Sequence, residues 1–264
     1  MSSYREWIAS LRQLGLGRHS RVLVHASLES LAPVAGGAET VVGALVATCG
    51  TVVAPTFTLR SLVVPKVGPP DNGITYGTPS GAETEIFDPS MAADNEMGSF
   101  AEALRRHPDS QRSSHPALSF AGVGAEAILE SQTIDEPLAP IRALAEEDAD
   151  VLLFGSGHRW NVSLHWAERL AGRKQFVRWA LTARGIVECP EFPGCPDGFE
   201  AIEPKLSGIV RSANLGEDQL QAIPLRDLIH IAAAWIRQDP RALLCDRVGC
   251  ERCAAVRAAV RVTP

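Results

Sequence analysis

Several features are missing from this chain, and each absence removes a class of function. No apolar run approaches eighteen of its 264 residues, so no membrane span is expected. The opening "MSSYREWIASLRQLGLG" has no basic start, and charges interrupt its apolar residues, unlike a secretory leader. A bacterial-type cytoplasmic location is the expectation. No Lys/Arg run resembles an arm for nucleic acid, and the formal net charge is −6, so no nucleic-acid partner is expected. The basic residues are scattered, so a phosphate-bearing ligand would need a local site rather than a field over the whole surface. The common signatures fail too. "GSGHRW" carries two glycines of a dinucleotide fingerprint, but Trp160 stands where the third belongs. There is no P-loop ending, no His-Glu-x-x-His and no Gly-x-Ser-x-Gly elbow. No internal repeat of useful period is found.

What is present is ordinary globular material, 45% hydrophobic and 21% charged, long enough to bury a substantial core. Amphipathic segments alternate with apolar ones. "YREWIASLRQLGL" places Trp7, Ile8, Leu11 and Leu14 at helical spacing, and "RVLVHAS" is a short strand. "GGAETVVGALVATCG" reads as a helix and "TVVAPTFT" as a buried strand. Leu59 to Asp88, rich in Pro and Gly, reads as a long loop. Helices follow in "MGSFAEALRRHP", "AEAILES" and "PIRALAEEDA", with strands in "ALSFAGVG" and "DVLLFGSG". "NVSLHWAERLAG" is helical, "KQFVRWALTARGIVEC" is a hairpin turning near Ala183 to Gly185, and "RDLIHIAAAWIRQDP" is a helix stopped by Pro240. The expected fold is α/β: a layered sandwich with a central mixed, largely parallel sheet flanked by helices.

The stretch "NVSLHWAE" holds the most chemistry. Asn161 or Ser163 can cap the helix start, because their oxygens accept first-turn N–H groups. His165 and Glu168, three residues apart, share one face. A carboxylate beside an imidazole fixes its tautomer and raises its basicity, as a general base requires. Read by itself, the pair also suits a half-buried histidine with a surface glutamate. His25 ends a buried run, and Ser27 follows at a strand-to-helix junction, where hydroxyls and free N–H groups bind anions. Arg112, Ser113, Ser114, His115 and Ser119 precede another strand, and an Arg beside hydroxyls suits a phosphate.

Four ordered blocks, "LVHASLESLAPVAGGAETVVGAL", "GTVVAPTFT", "MGSFAEALRRHPDSQRSSHPALSFAGVG" and "SLHWAE", resemble the aminoglycoside 3-N-acetyltransferase family. The resemblance runs clearly over about residues 20 to 170 and thinly to the end. It implies a single acetyltransferase domain over 1–264, with 190–264 as a C-terminal subregion that includes a Cys-containing tail. It also implies an enzyme that moves acetyl from acetyl-coenzyme A to an amine of a small molecule, an aminoglycoside or related antibiotic, without a metal or an acyl-enzyme. His165 matches the family's base, and Glu168 an acid that orients it or holds the substrate ammonium. By position, His25, Ala26, Ser27, Leu28, Thr56, Phe57, Arg112, Ser113 and Ser119 would line the coenzyme pocket. The family carries a later carboxylate, for which Glu191, Asp197 and Glu200 all stand open; Glu191 and Asp197 are taken as substrate-binding. The long loop departs from the family's acidic pattern, with Arg60 and Lys66 against Asp71.

Alternatives from other classes stay open. These are a biosynthetic N-acetyltransferase for a non-aminoglycoside amine, a cysteine acyltransferase or amidase working through a covalent thioester, against which Cys49 ends an apolar helix and Cys189 precedes a proline, and a non-catalytic coenzyme-A-binding homologue. The oligomeric state is also open, a homodimer included. Finally, "CDRVGCERC" spaces Cys245, Cys250 and Cys253 as C-x4-C-x2-C, with Cys195 as a fourth thiol. No metal is assigned from sequence: reduced thiols packing a short terminal helix is the preferred reading, and a structural zinc at these four is its alternative.

Overall fold

The computed structural model describes residues 1–77 and 84–260. Helix α1 (Tyr4–Gln13) starts with a capping box, in which the Glu6 N–H donates to Ser3 Oγ and the Ser3 N–H donates to Glu6 Oε2 at 2.8 Å. Strand β1 (Arg21–Ala26), helix α2 (Gly37–Thr48), and strands β2 (Thr51–Pro55) and β3 (Leu62–Val63) follow. Next come α3 (Gly98–Arg106), β4 (Gln111–Arg112), β5 (Phe120–Val123), α4 (Glu126–Glu130), α5 (Ala139–Glu146), β6 (Asp150–Phe154) and α6 (Ser163–Leu170). A hairpin, β7 (Phe176–Thr182) and β8 (Gly185–Phe192), precedes α7 (Glu203–Leu206). The chain closes with β9 (Arg211–Leu215), β10 (Asp218–Pro224), α8 (Leu225–Gln238) and α9 (Glu251–Val260).

Among the described residues, seven strands form one mixed sheet in the order β4-β5-β2-β1-β6-β10-β9. Its three central strands β2, β1 and β6 are parallel, and antiparallel strands extend both edges. The layered α/β architecture is as expected, with parallel pairing concentrated at the centre. Period-two alternation decides which helices each face carries. Val22 and Val24 of β1 face Trp7, Leu11, Val41, Leu45, Phe100 and Leu104 of α1, α2 and α3. Leu23, between them, faces the opposite layer, with Ile141, Leu144, Leu164, Leu228 and Ala232 of α5, α6 and α8. A smaller sheet, β3-β7-β8, lies beside the main one.

Two elements differ from the sequence reading. The stretch from Leu59 to Asp88 is not all loop. It contributes β3 to the small sheet, and Asn72 anchors it by accepting from the Val177 N–H at 2.8 Å. Residues 78–83 of this stretch lie outside the described residues. The hairpin β9–β10 has no counterpart in the sequence reading; its cue is the alternation of buried Ala213, Leu215, Leu220 and Ala222 around a turn at Gly216. No helix among the described residues is long and apolar enough to cross a membrane.

Candidate active site

A cleft of about 420 Å³ opens where the parallel strands end. His25, Ala26 and Ser27 at the end of β1, Pro55 and Phe57 at the end of β2, and Ser156 just beyond β6 form its floor. Open α/β sheets offer ligand sites at this edge, because the chain leaves each strand there and adjacent loops diverge. The walls come from the start of α3, from α6, and from the last residue of β8 and the loop that follows it, residues 192–197. Gly98 is required where α3 meets β1. Its φ is +80°, and a Cβ there would lie 3.0 Å from the Ala26 carbonyl oxygen.

His165 projects into this cleft from the first turn of α6. Asn161 fixes that turn: its Oδ1 accepts the Ser163 N–H at 3.2 Å and also the Ser163 hydroxyl. Neither expected capping residue holds the N-cap position, which falls to Val162; Asn161 supplies its acceptor from one residue earlier. His165 Nδ1 lies 2.8 Å from Glu168 Oε2, with Glu168 only 2% exposed. Arg173 donates to the other carboxylate oxygen at 2.7 Å, and its remaining donors reach the carbonyls of Pro240 and Ala242 at 2.9 and 2.7 Å. Glu168 is therefore a doubly held acceptor. It keeps a proton on Nδ1 and leaves Nε2 as the imidazole's basic nitrogen. The Phe199 ring packs on the imidazole at 4.7 Å between centroids. Arg173 escaped the sequence reading, because its partners are a helix residue and two backbone carbonyls more than sixty positions away.

The model of the family described as aminoglycoside 3-N-acetyltransferase matches residues 23–237. The chain belongs to that family. Aminoglycoside N(3)-acetyltransferase VII of Streptomyces paromomycinus is 30% identical over 268 residues, covering 86% of this chain and 89% of that protein. Among solved structures, the apoenzyme of aminoglycoside acetyltransferase AAC(3)-IVa superposes with a TM-score of 0.78 at 27% identity, covering 98% of each chain. A histidine-to-alanine mutant of AAC(3)-IVa in complex with a gentamicin matches with a TM-score of 0.76 at 26% identity, covering 97% of each chain. The chain is thus an acetyltransferase.

In this acetyltransferase the cleft gathers some of the residues singled out from sequence. His25, Ala26, Ser27, Phe57, His165 and Asp197 line it. Leu28 does not; it begins a short 3-10 turn beyond β1. Arg112, Ser113, Ser119 and Thr56 do not line it either. The Arg112 guanidinium donates to Ser119 Oγ at 3.0 Å and to the carbonyls of Thr56, Pro89 and Met91. Ser113 and Phe120 close a ring of their own, with the Phe120 N–H donating to Ser113 Oγ at 2.9 Å. These groups tie the ends of β2, β4 and β5 together and have little left for a phosphate. Glu191 is drawn away by Arg169, at 2.9 Å. The carboxylate beside His165 is Glu168, since Asp197 sits between Arg159 and Arg247 at 2.9 and 3.1 Å and Glu200 accepts the Arg159 N–H.

Sequence reasoning missed most of the charge in the cleft. Glu29 and Glu96 lie on it, as do Arg159, Arg247 and Arg252, so the five come from four distant segments. Arg60, which seemed to make the long loop basic, is neutralised by Glu85 at 3.0 Å and Asp94 at 2.6 Å. Burial lowers His25 to about 3, with His158 as a secondary cause, so its imidazole is neutral. Cys49 and Cys189 are pushed up to about 12 by burial and lie off the cleft, so neither is placed to act as a nucleophile there.

Proposed function

We propose that this acetyltransferase acetylates an amine of an aminoglycoside by direct transfer, with His165 as general base and Glu168 as its positioning residue. The observation that carries the reading is the 2.8 Å contact between His165 Nδ1 and a buried, Arg173-held Glu168 in the cleft at the strand ends. Acetyl-coenzyme A is the donor. A bound ammonium gives one proton to His165 Nε2, and the resulting imidazolium is stabilised by Glu168. The free nitrogen then bonds to the thioester carbonyl carbon. As the C–S bond breaks, its electron pair leaves with sulfur, which takes the second N–H proton and departs as coenzyme A thiol. Such proton transfer contributes on the order of 10²–10⁴-fold.

The cleft's charges support the choice of substrates. Glu29 and Glu96 suit a polycation, while Arg159, Arg247 and Arg252 suit coenzyme phosphates. The start of α3 has no side-chain cap, so its first-turn N–H groups are candidates for the carbonyl oxygen that becomes negative. The gentamicin complex of AAC(3)-IVa favours an aminoglycoside over a biosynthetic amine. Free-thiol release from acetyl-coenzyme A, measured across aminoglycosides and simple amines, tests the reading. Release with an aminoglycoside is expected. Release only with other amines would move the substrate to the biosynthetic alternative, and no release with any amine would leave a coenzyme-binding homologue.

A further inference from the structure

Beside the cleft, four cysteines from two distant segments converge. Cys195 lies in the loop after β8, Cys245 follows α8, and Cys250 and Cys253 sit at the start of α9. Their sulfurs all lie within 4.8 Å of one another; Cys195 and Cys245 are 3.8 Å apart, Cys245 and Cys253 3.5 Å. None exceeds 6% exposure. A tetrahedron of sulfurs about 2.3 Å from a central zinc has edges of about 3.8 Å, so the spacing is that of a metal cage. A disulfide needs sulfurs at about 2.05 Å, and all four are free thiols.

Ordinary core packing does not account for the arrangement. The four side chains form a cluster separate from both faces of the main sheet, with Leu244 as the partly buried hydrophobic packed against them among the described residues. Backbone N–H groups also point at sulfur: Asp197 at Cys195, Arg247 at Cys245 and Cys253 at Cys250. Two of these come from the residue two positions on. Arg247 also reaches Cys250, and Arg257 donates to the Cys245 carbonyl, so cations flank a centre in which four thiolates and one zinc ion would carry a net charge of about −2.

We propose that Cys195, Cys245, Cys250 and Cys253 form a structural tetrathiolate zinc site. The site is closed, with four protein ligands and no open position, so its role is to hold structure. It ties the 193–197 wall of the cleft to the segment that carries Arg247 and Arg252. That segment needs a tie: residues 239–250 contain no helix or strand, and Leu243 is held at a φ of +62°. Sequence offered Cys195 as a fourth thiol without showing that it meets the other three; that meeting favours the zinc alternative over packing thiols.

The test uses the full chain purified from zinc-supplemented cells. Elemental analysis should find about one zinc per chain. Cobalt exchanged into the site should give the visible bands of a tetrahedral ion and strong sulfur-to-cobalt charge transfer. C195S and C253S should each lose most of the metal, whereas C49A should keep it. Folded wild-type protein that carries and takes up no metal would overturn the proposal, as would a disulfide between any two of the four in peptide mass analysis. Undiminished zinc in C195S or C253S would overturn it equally. The wild-type metal content and cobalt spectrum decide the matter even if the serine variants fold poorly.

Discussion

At the scale of the residue, Glu168 and Arg112 show how burial assigns roles that residue type alone leaves open. The three-residue spacing of His165 and Glu168 was legible in the sequence, because helical geometry puts such a pair on one face. Removing the imidazole in His165→Ala should lower turnover by about two orders of magnitude or more while coenzyme affinity stays near wild type. Unchanged turnover would end the general-base assignment. Glu168→Gln keeps the shape but not the charge, so kcat should fall about tenfold or more. Arg112 shows the opposite lesson. An Arg beside hydroxyls looked like a phosphate site, yet the fold spends its guanidinium on Ser119 and three carbonyls. Arg112→Ala should therefore cost about 2–4 kcal/mol of stability in a denaturant titration and leave coenzyme affinity within about twofold. A selective loss of coenzyme affinity at unchanged stability would restore the phosphate reading.

Elements were legible where one period dominated: α1, α3, α8 and the three parallel strands. Helix α8 ends at Gln238, as the proline at 240 predicts. The β9–β10 hairpin was overlooked because its buried positions alternate with Ser212, Asn214, Gln219 and Gln221 at a sheet edge, where no apolar run forms. The joins between elements were the least legible, and Gly198 marks one. A Cβ there would lie 2.5 Å from the Leu243 carbonyl oxygen and 2.8 Å from the Cys245 nitrogen, so the turn after the cleft wall rests directly on the C-terminal backbone. Gly198→Ala should lower stability by about 1–3 kcal/mol and raise the KM for the amine more than it lowers kcat. Gly208→Ala, where nothing lies within 4 Å, provides the control and should be close to neutral. Equal effects at both positions in thermal melts would mean that the close approach carries no weight.

Across the whole molecule, the cleft depends on three stretches that only the sheet order brings together: the strand ends, the wall after β8 and the tail after α8. No local pattern announces that meeting, which is why its arginines and two of its glutamates were not foreseen. The same enclosure buries histidines in both halves of the fold. Burial lowers His25 to about 3 and His115 to about 4, and the buried Nε2 atoms of both have no hydrogen-bond partner. In the unfolded chain both would titrate near 6.5. As pH falls below that value, the unfolded chain takes up protons that the folded chain refuses, so stability is lost on acidification and is fully present above about 6.5. Each histidine should remove at most about 2 kcal/mol by pH 5, a figure set by about 1.4 kcal/mol per pH unit below the unfolded value. Urea midpoints measured from pH 7.5 down to 5 should therefore fall with a slope that His115→Asn reduces, and that adding His25→Asn reduces again. A midpoint independent of pH over that range, or a slope unmoved by both substitutions, would show that these imidazoles are not held neutral.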